Sequence, residues 1–397
     1  MQYPSYVSAI IDRLEENSFE AYIVGGSVRD SMMGRTPNDY DVTTSALPEQ
    51  TLEIFKDMRT IPTGLKHGTV TVLSDGHPIE VTTFRIDGEY KDSRRPEEVS
   101  FTDSVTEDLS RRDFTVNAMA YSQKRGLVDP FGGREDIEKR VIRAVGDPPK
   151  RFEEDALRIM RAFRFSAQLG FEIDPETLAG ARAFRDNLSH IARERISQEF
   201  LKLIVSKDPA PSLSLMSENF ILPHVLGSYI PSGKLLSALT DSPASERIRL
   251  GILISGAEDD KKREILSGLR LSSKLCSNVL TISAKCARTL SGTETDARRF
   301  IGSCGELCED VMSAAKALGK LDGDFEKLVR ENLAQKSCTT ASELAVNGSD
   351  LIKLGIKGKA IGDTLEALLE HVLQYPSDNQ KEKLSHIALE LNNIKKE

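Results

Sequence analysis

The hydrophobic period of this chain changes once, near residue 147, and that change limits what it can fold into. Before it, short β-branched runs alternate with helical ones. GTVTVL (Gly68–Leu73) and IEVTTF (Ile79–Phe84) alternate with period two, which predicts strands. Phe19–Val24 and Tyr40–Thr43 read as two more strands, and Ser27–Met33 and Leu47–Met58 as helices. After GDPPK only the helical period persists, with Asp147 placed to cap and Pro148 in the first turn. Breaks such as SKDPAPS, SGAEDDKK, SGTETD and GKLDGD separate the later helices, and no exact internal repeat is present. The expected fold is a mixed α/β head of about 140 residues followed by an all-α body and tail.

A length of 397 residues favours two to four domains with ample core. Hydrophobic content of 39% and charged content of 29% describe a soluble globular protein, and no apolar run is long enough to span a bilayer. The start, MQYPSYVSAI, lacks the basic and apolar regions of a signal peptide. All five cysteines lie in the last third and none is spaced Cys-x-x-Cys. Cys304 and Cys308 fall four apart on an expected helix, with no histidine near to complete a zinc set. Reduced thiols in a cytoplasmic protein are the expectation. The net charge of −8 argues against nucleic-acid binding through overall charge but leaves room for a local basic stripe. No tryptophan is present, so no aromatic platform for single strands is advertised.

The segment VGGSVRDSMMGRTPNDYDVTT (Val24–Thr44) joins two features. Gly25 and Gly26 lie between an expected strand and helix, where free backbone N–H groups offer a seat for phosphate. Ser27 is placed to cap that helix or add a hydroxyl contact, and Arg29 is grouped with it as nucleotide-binding. Asp39 and Asp41 are one residue apart on an expected strand, so both carboxylates face one side. Two hard oxygen ligands on one edge suit Mg²⁺, which keeps much of its shell for water and substrate phosphate. Glu80, on a neighbouring strand, is the candidate third carboxylate, or else a cross-strand partner for Arg85. A phosphate cradle, a short helix and two metal carboxylates are the layout of a two-metal nucleotidyltransferase site.

In RRDFTVNAMAY (Arg111–Tyr121), Arg112 is a candidate for phosphate, Asp113 for a ribose hydroxyl and Asn117 for a further polar contact. VDPFGG (Val128–Gly133) reads as a turn and helix entry supporting the head. In RFEEDALRIMRAFRF, Asp155, Arg158 and Arg161 fall on roughly one helical stripe, beside an apolar stripe of Leu157, Met160 and Phe163. An ionised Asp only accepts hydrogen bonds and an Arg only donates them. Cytosine and adenine both present an amino donor beside a ring-nitrogen acceptor. The pair would take either base and meet guanine or uracil with mismatched contacts. An ordinary ion pair on a helix surface is the simpler reading of the same spacing.

Taken in order, GGSVRDSMMGRTPNDYDVTT, RIDGEYKDSRRPEEVSF, RRDFTVNAMAY, VDPFGG, EEDALRIMRAFRFSAQLGFEID and HIARERISQEFLKLI resemble the motifs of the bacterial-type (class II) CCA-adding tRNA nucleotidyltransferases, relatives of the bacterial poly(A) polymerases. The resemblance covers most of residues 20–205. It implies a polymerase-β-like head with a mixed sheet (1–146), then a helical neck with the base-recognition helix (147–205), a body (206–290) and a tRNA-binding tail (291–397). It implies CTP and ATP added to the tRNA 3′ end without a nucleic-acid template, with Mg²⁺ as cofactor. It supports Asp39 and Asp41 as metal ligands, Arg112 and Asp113 at the sugar, and Asp155 and Arg158 as a protein template. Arg161 and Arg164 are expected along the nucleotide and tRNA backbone. Asp92, Arg94 and Arg95 match the flexible loop linked to the switch from C to A. Glu343–Leu373 resembles the family's tail, where Gly355, Gly358 and Gly362 with Lys357 and Lys359 form either an RNA-phosphate contact or a plain helix–helix turn. Monomer and homodimer are both compatible with the resemblance. The rival readings are an enzyme adding only A to ends in CC, a poly(A) polymerase, and a non-catalytic RNA-binding relative.

Overall fold

The computed structural model describes residues 1–88 and 99–394. The chain divides into two compact units. One comprises Met1–Ile230 with Ile265–Arg270, the other Pro231–Glu264 with Leu271–Glu397. Asp92, Arg94 and Arg95 lie outside the described residues.

The first unit opens with helix α1 (Ser5–Glu16) and a seven-stranded sheet. In chain order its strands are β1 (Ala21–Val24), β2 (Asp41–Thr44), β3 (Thr60–Gly64), β4 (Thr69–Ser74) and β5 (His77–Thr83). A two-stranded ribbon follows, β6 (Arg85–Asp87) with β7 (Val99–Phe101), and then β8 (Ala120–Ser122) and β9 (Gly126–Val128) return to the main sheet. The spatial order is β3-β4-β5-β2-β1-β8-β9, with β2 and β5 parallel and the other neighbours antiparallel. It is the mixed sheet that the family resemblance implied.

Both faces of β1 are covered, which is why Ala21–Val24 is apolar without alternation. On one face Ile23 joins Val42, Val70, Val72, Ile79 and Val81 under the apolar side of α1, Val7, Ile10, Ile11 and Leu14. On the other, Tyr22 and Val24 pack with Phe84, Leu109 and Ala120. Burying such aliphatic side chains contributes about 1.5–3 kcal/mol each, so this central strand is firmly fixed.

Helices α2 (Gly26–Met32), α3 (Pro48–Ile54), α4 (Val105–Ser110) and α5 (Gly133–Lys139) complete the head. The sequence reading missed β3, β8 and β9, whose three to five residues are too short to show a period. At the start of α5, a Cβ on Gly133 would lie 2.2 Å from the Thr115 carbonyl oxygen, so only glycine fits this entry. Beyond residue 147 come α6 (Pro148–Glu154), with Asp147 at its N-cap, then α7 (Leu157–Leu169), α8 (Pro175–Ala183) and α9 (Arg193–Ile204).

The expected single helix through Arg151–Phe165 is two helices. Asp155 adopts φ −146° and ψ 102°, ending α6 in extended backbone. The predicted apolar stripe does form, with Leu157, Met160 and Phe163 all buried on α7.

The second unit is helical. Its last three helices, Gly348–Lys353, Lys359–Gln374 and Lys381–Ile394, surround a separate core that includes Leu351, Leu368, Val372 and Leu384. The Gly355–Gly358 stretch is the turn between the first two, with φ of 91° and 62° at its glycines. Cys304 and Cys308 do not share a helix. The first ends Glu294–Cys304 and the second begins Cys308–Ala317, with Gly305 at φ 54° between them. All five cysteines are free thiols. No helix among the described residues is long and apolar enough to cross a membrane.

Candidate active site

The parallel pairing of β2 with β5 sets Asp41 directly beside Glu80. Asp39 is not on the strand as expected, because β2 starts at Asp41. It sits exposed in the approach and still contributes to the negative field at Asp41. The Asp41 carboxyl is pushed up to about 6 by burial among protein atoms, then by Glu80 and Asp39, with Arg112 opposing in part. Its residue surface stays open at the strand mouth, so the group is crowded by charge yet reachable.

Gly25 closes the other side of this edge. Its φ of 75° and ψ of −127° are open to glycine and strained for other residues. A Cβ there would lie 3.2 Å from Arg112 Nη1, so the guanidinium faces the turn directly. Gly26 begins α2. Ser27 does not cap that helix. Its hydroxyl donates to the Val24 carbonyl at 3.2 Å and tightens the turn. Arg29 is buried and occupied, donating to Asp30 at 2.9 Å and to Asn117 Oδ1 at 2.6 Å.

Arg112 owes its place to a residue the sequence reading passed over. Asp108, fully buried on α4, accepts from Arg111 at 2.8 Å, Arg112 at 3.4 Å, Thr43 at 3.2 Å and the Arg85 backbone N–H at 3.3 Å. Burial alone would raise its pKa, but Arg111 and Arg112 hold it below the usual carboxylate range. The spacing of Asp108 to Arg111 and Arg112, three and four residues along one turn, was the available signal. Among the described residues the buried Nε–H of Arg112 has no hydrogen-bond partner.

Asp113 turns toward α7. Arg161 Nε donates to it at 2.7 Å, and Asn117 and the Phe114 N–H approach its other oxygen at 3.4 and 2.9 Å. Burial opposes its charge, yet Arg161 keeps its pKa below normal. The buried Glu199 of α9, also missed from sequence, binds Arg164 and lies 4.0 Å from Arg161.

Asp155 and Arg158 do not pair with each other. Asp155 Oδ1 accepts from the Leu157 N–H at 3.0 Å, starting α7, and Oδ2 accepts from Arg195 of α9 at 3.1 Å. Arg158 donates to Glu154 at 2.7 Å and to the Arg111 carbonyl at 3.0 Å. The Arg158–Arg111 contact ties the helix carrying these residues to the segment carrying Arg112. Arg195 and Glu154 were not singled out from sequence, since Arg195 meets Asp155 only through the fold.

The donor chemistry fits a hard divalent cation. Asp39, Asp41 and Glu80 offer only oxygens, and their mutual repulsion is incompletely offset by protein cations. Among the described residues no group of three His, Cys, Asp or Glu forms a ready metal cage, which leaves an open edge with few protein ligands. Mg²⁺, which binds by one or two carboxylates plus substrate phosphates, suits such an edge.

Comparison with known proteins agrees with this geometry. The Poly A polymerase head domain model matches residues 21–143. A model described as "Probable RNA and SrmB- binding site of polymerase A" matches 170–231, and tRNA nucleotidyltransferase domain 2 matches 246–388. The CCA-adding enzyme of Limosilactobacillus fermentum is 38% identical over 388 residues, 96% of each chain. That of Geobacillus stearothermophilus is 37% identical over 396 residues, again 96% of each. The crystal structure of the Bacillus stearothermophilus CCA-adding enzyme in complex with CTP superposes with a TM-score of 0.84 at 34% identity, covering 100% of this chain and 99% of that one. With the sheet edge and the glycine turn in place, and with this identity along nearly the whole of both chains, the chain belongs to the family of CCA-adding enzymes and is a nucleotidyltransferase.

Proposed function

We propose that this enzyme adds C, C and A in turn to the 3′ end of tRNA, using CTP and ATP and no nucleic-acid template. The observation that carries the reading is the edge where Asp41 and Glu80 pair in register, with Asp39 beside them and Arg112 facing the Gly25 turn across it. Asp39 and Asp41, with Glu80 adjacent, would hold Mg²⁺, in the two-ion arrangement usual for such transferases. When bound, the ion supplies charge neutralisation at the triphosphate and a lowered pKa for the attacking hydroxyl.

The chain's own groups do the rest by position and charge. The backbone N–H groups at Gly25–Ser27 and the Arg112 guanidinium receive the triphosphate and steady the charge that builds on it. Holding the tRNA 3′-hydroxyl against the α-phosphate converts an encounter into an intramolecular step. Asp155 reads the amino group of cytosine or adenine with the lone pairs that Leu157 and Arg195 leave open. Arg158 reads the neighbouring ring nitrogen. Its Nε–H and one Nη2 hydrogen have no protein acceptor among the described residues. Asp113 would meet the ribose while held by Arg161. The division into head, neck, body and tail, and a cytoplasmic setting, belong to the same proposal.

The test is incorporation with Mg²⁺ on three tRNA transcripts ending before CCA, after C and after CC, with CTP and ATP separately and together. Addition to all three that stops after one A supports the reading. A added only to the CC end makes it an A-adding enzyme, and unlimited A addition a poly(A) polymerase.

A further inference from the structure

Between Leu271 and Thr293 the chain has no aspartate or glutamate, although 61 of its 397 residues are acidic. Lys274, Lys285 and Arg288 fall in that stretch. The helix Ser273–Cys286 turns Val279, Ile282 and Cys286 inward. Thr281 and Lys285 follow Lys274 by intervals that stay on one helical stripe, on the opposite side, and Arg288 lies two residues beyond the helix end. From Lys274 to Lys285 the stripe runs for roughly 16 Å at 1.5 Å per residue.

Part of it borders a depression of about 490 Å³ lined by Leu280, Thr281, Ala284, Lys285, Arg288 and Ser303. No carboxylate lines it. Lys285 Nζ donates to Ser303 Oγ at 2.8 Å, which fixes the ammonium at the wall with other protons to spare. Arg288 is exposed, and no carboxylate pairs with it among the described residues. Balancing the helix dipole would account for cations in the last turn. It does not account for Lys274 in the first turn, where the dipole disfavours a cation. Nor does it account for the absence of acids in a chain of net charge −8.

We propose that Lys285 and Arg288 at the depression, with Lys274 at the far end of the helix, bind phosphates of the tRNA backbone. The assignment rests on the tRNA reading above. A duplex backbone carries closely spaced charges, and a line of cations without competing acids recognises that spacing independently of sequence.

The test uses the full chain. Lys285→Glu with Arg288→Glu, and Lys274→Glu separately, are compared with Lys336→Glu, an exposed lysine of the same unit outside the stripe. Thermal melts check folding. The expected result for the double variant is a tRNA Kd raised about tenfold at 50 mM salt and less at 200 mM. Its salt slope should fall by about one per lost contact. The KM for CTP and ATP at saturating tRNA should stay unchanged. Unchanged tRNA affinity and slope would overturn the proposal, as would an equal loss in Lys336→Glu. If the variants instead relieve inhibition by added pyrophosphate and leave tRNA binding intact, the depression takes a free phosphate and the RNA assignment fails. A wild-type enzyme that binds tRNA with this stripe but adds no CCA would contradict the reading of the active site alone.

Discussion

The catalytic edge and the helices that follow it treat charge in opposite ways. At the edge, Asp39, Asp41 and Glu80 repel one another and lean on one partly offsetting guanidinium. On α6, α7 and α9 each candidate base- or sugar-reading group has an opposite charge within reach. Asp155 has Arg195, Arg158 has Glu154, and Asp113 has Arg161. An edge left short of positive charge is prepared for a cation from outside. Side chains locked in pairs lose less freedom when a base arrives and keep their direction. On the proposed roles, the contrast teaches that affinity toward an ion and fixed geometry are reached by opposite treatments of charge.

The largest effect should come from removing the unbalanced charge. Asp41→Asn is expected to lower incorporation by roughly 10³-fold or more while tRNA affinity, measured by filter binding, stays near wild type. Activity that survives would remove Asp41 from the catalytic group. Next, Asp155→Ala should relax base choice. The preference for CTP and ATP over UTP and GTP should drop by about 100-fold in single-nucleotide competition, because the wrong bases lose their mismatched contact. Unchanged rejection of UTP and GTP would sink the template assignment. Arg195→Ala should act in the same direction but less, about tenfold, since Asp155 keeps its charge and loses only its brace. An effect on stability with selectivity intact would make that pair purely structural.

The smallest effect concerns pH and folding. In the folded chain Asp41 titrates at about 6, against an ordinary value of 3.8. Below about pH 4 both folded and unfolded forms are protonated and the repulsion costs nothing. The cost grows between pH 4 and 6 and is full above 6. In EDTA, Asp41→Asn should therefore melt higher than wild type at pH 7.5, and the difference should vanish near pH 4. A constant difference at both pH values would show that the repulsion is relieved by some other group.

How much of this was legible depended on range along the chain. The β2–β5 neighbourhood of Asp41 and Glu80 was open to inference, because alternating strands and paired acids are local patterns. The α6–α7 break was not. Its residues all tolerate a helix, and Asp155, which caps the Leu157 N–H with one oxygen, meets Arg195 forty positions on with the other. The i,i+3 spacing suggested a partner for Asp155 in Arg158, but Arg158 found Glu154 instead. Ser27 was placed either to cap the helix or to add a hydroxyl contact, and of these the cap is absent, since Gly25 holds the N-cap and the serine hydroxyl turns back to Val24. Asp108 was hidden differently. It lies on α4 just before the RRDFTVNAMAY motif, and only burial makes it a junction.

The contact between Arg158 and the Arg111 carbonyl, 3.0 Å long, carries a kinetic meaning. One peptide unit separates that carbonyl from Arg112, which faces the Gly25 turn. On the proposed roles, a base that fails to engage Arg158 would disturb the anchor of the residue assigned to the triphosphate. Discrimination should then be expressed in turnover more than in occupancy. A wrong nucleotide would enter with nearly the same KM and leave unreacted, its error recorded in kcat.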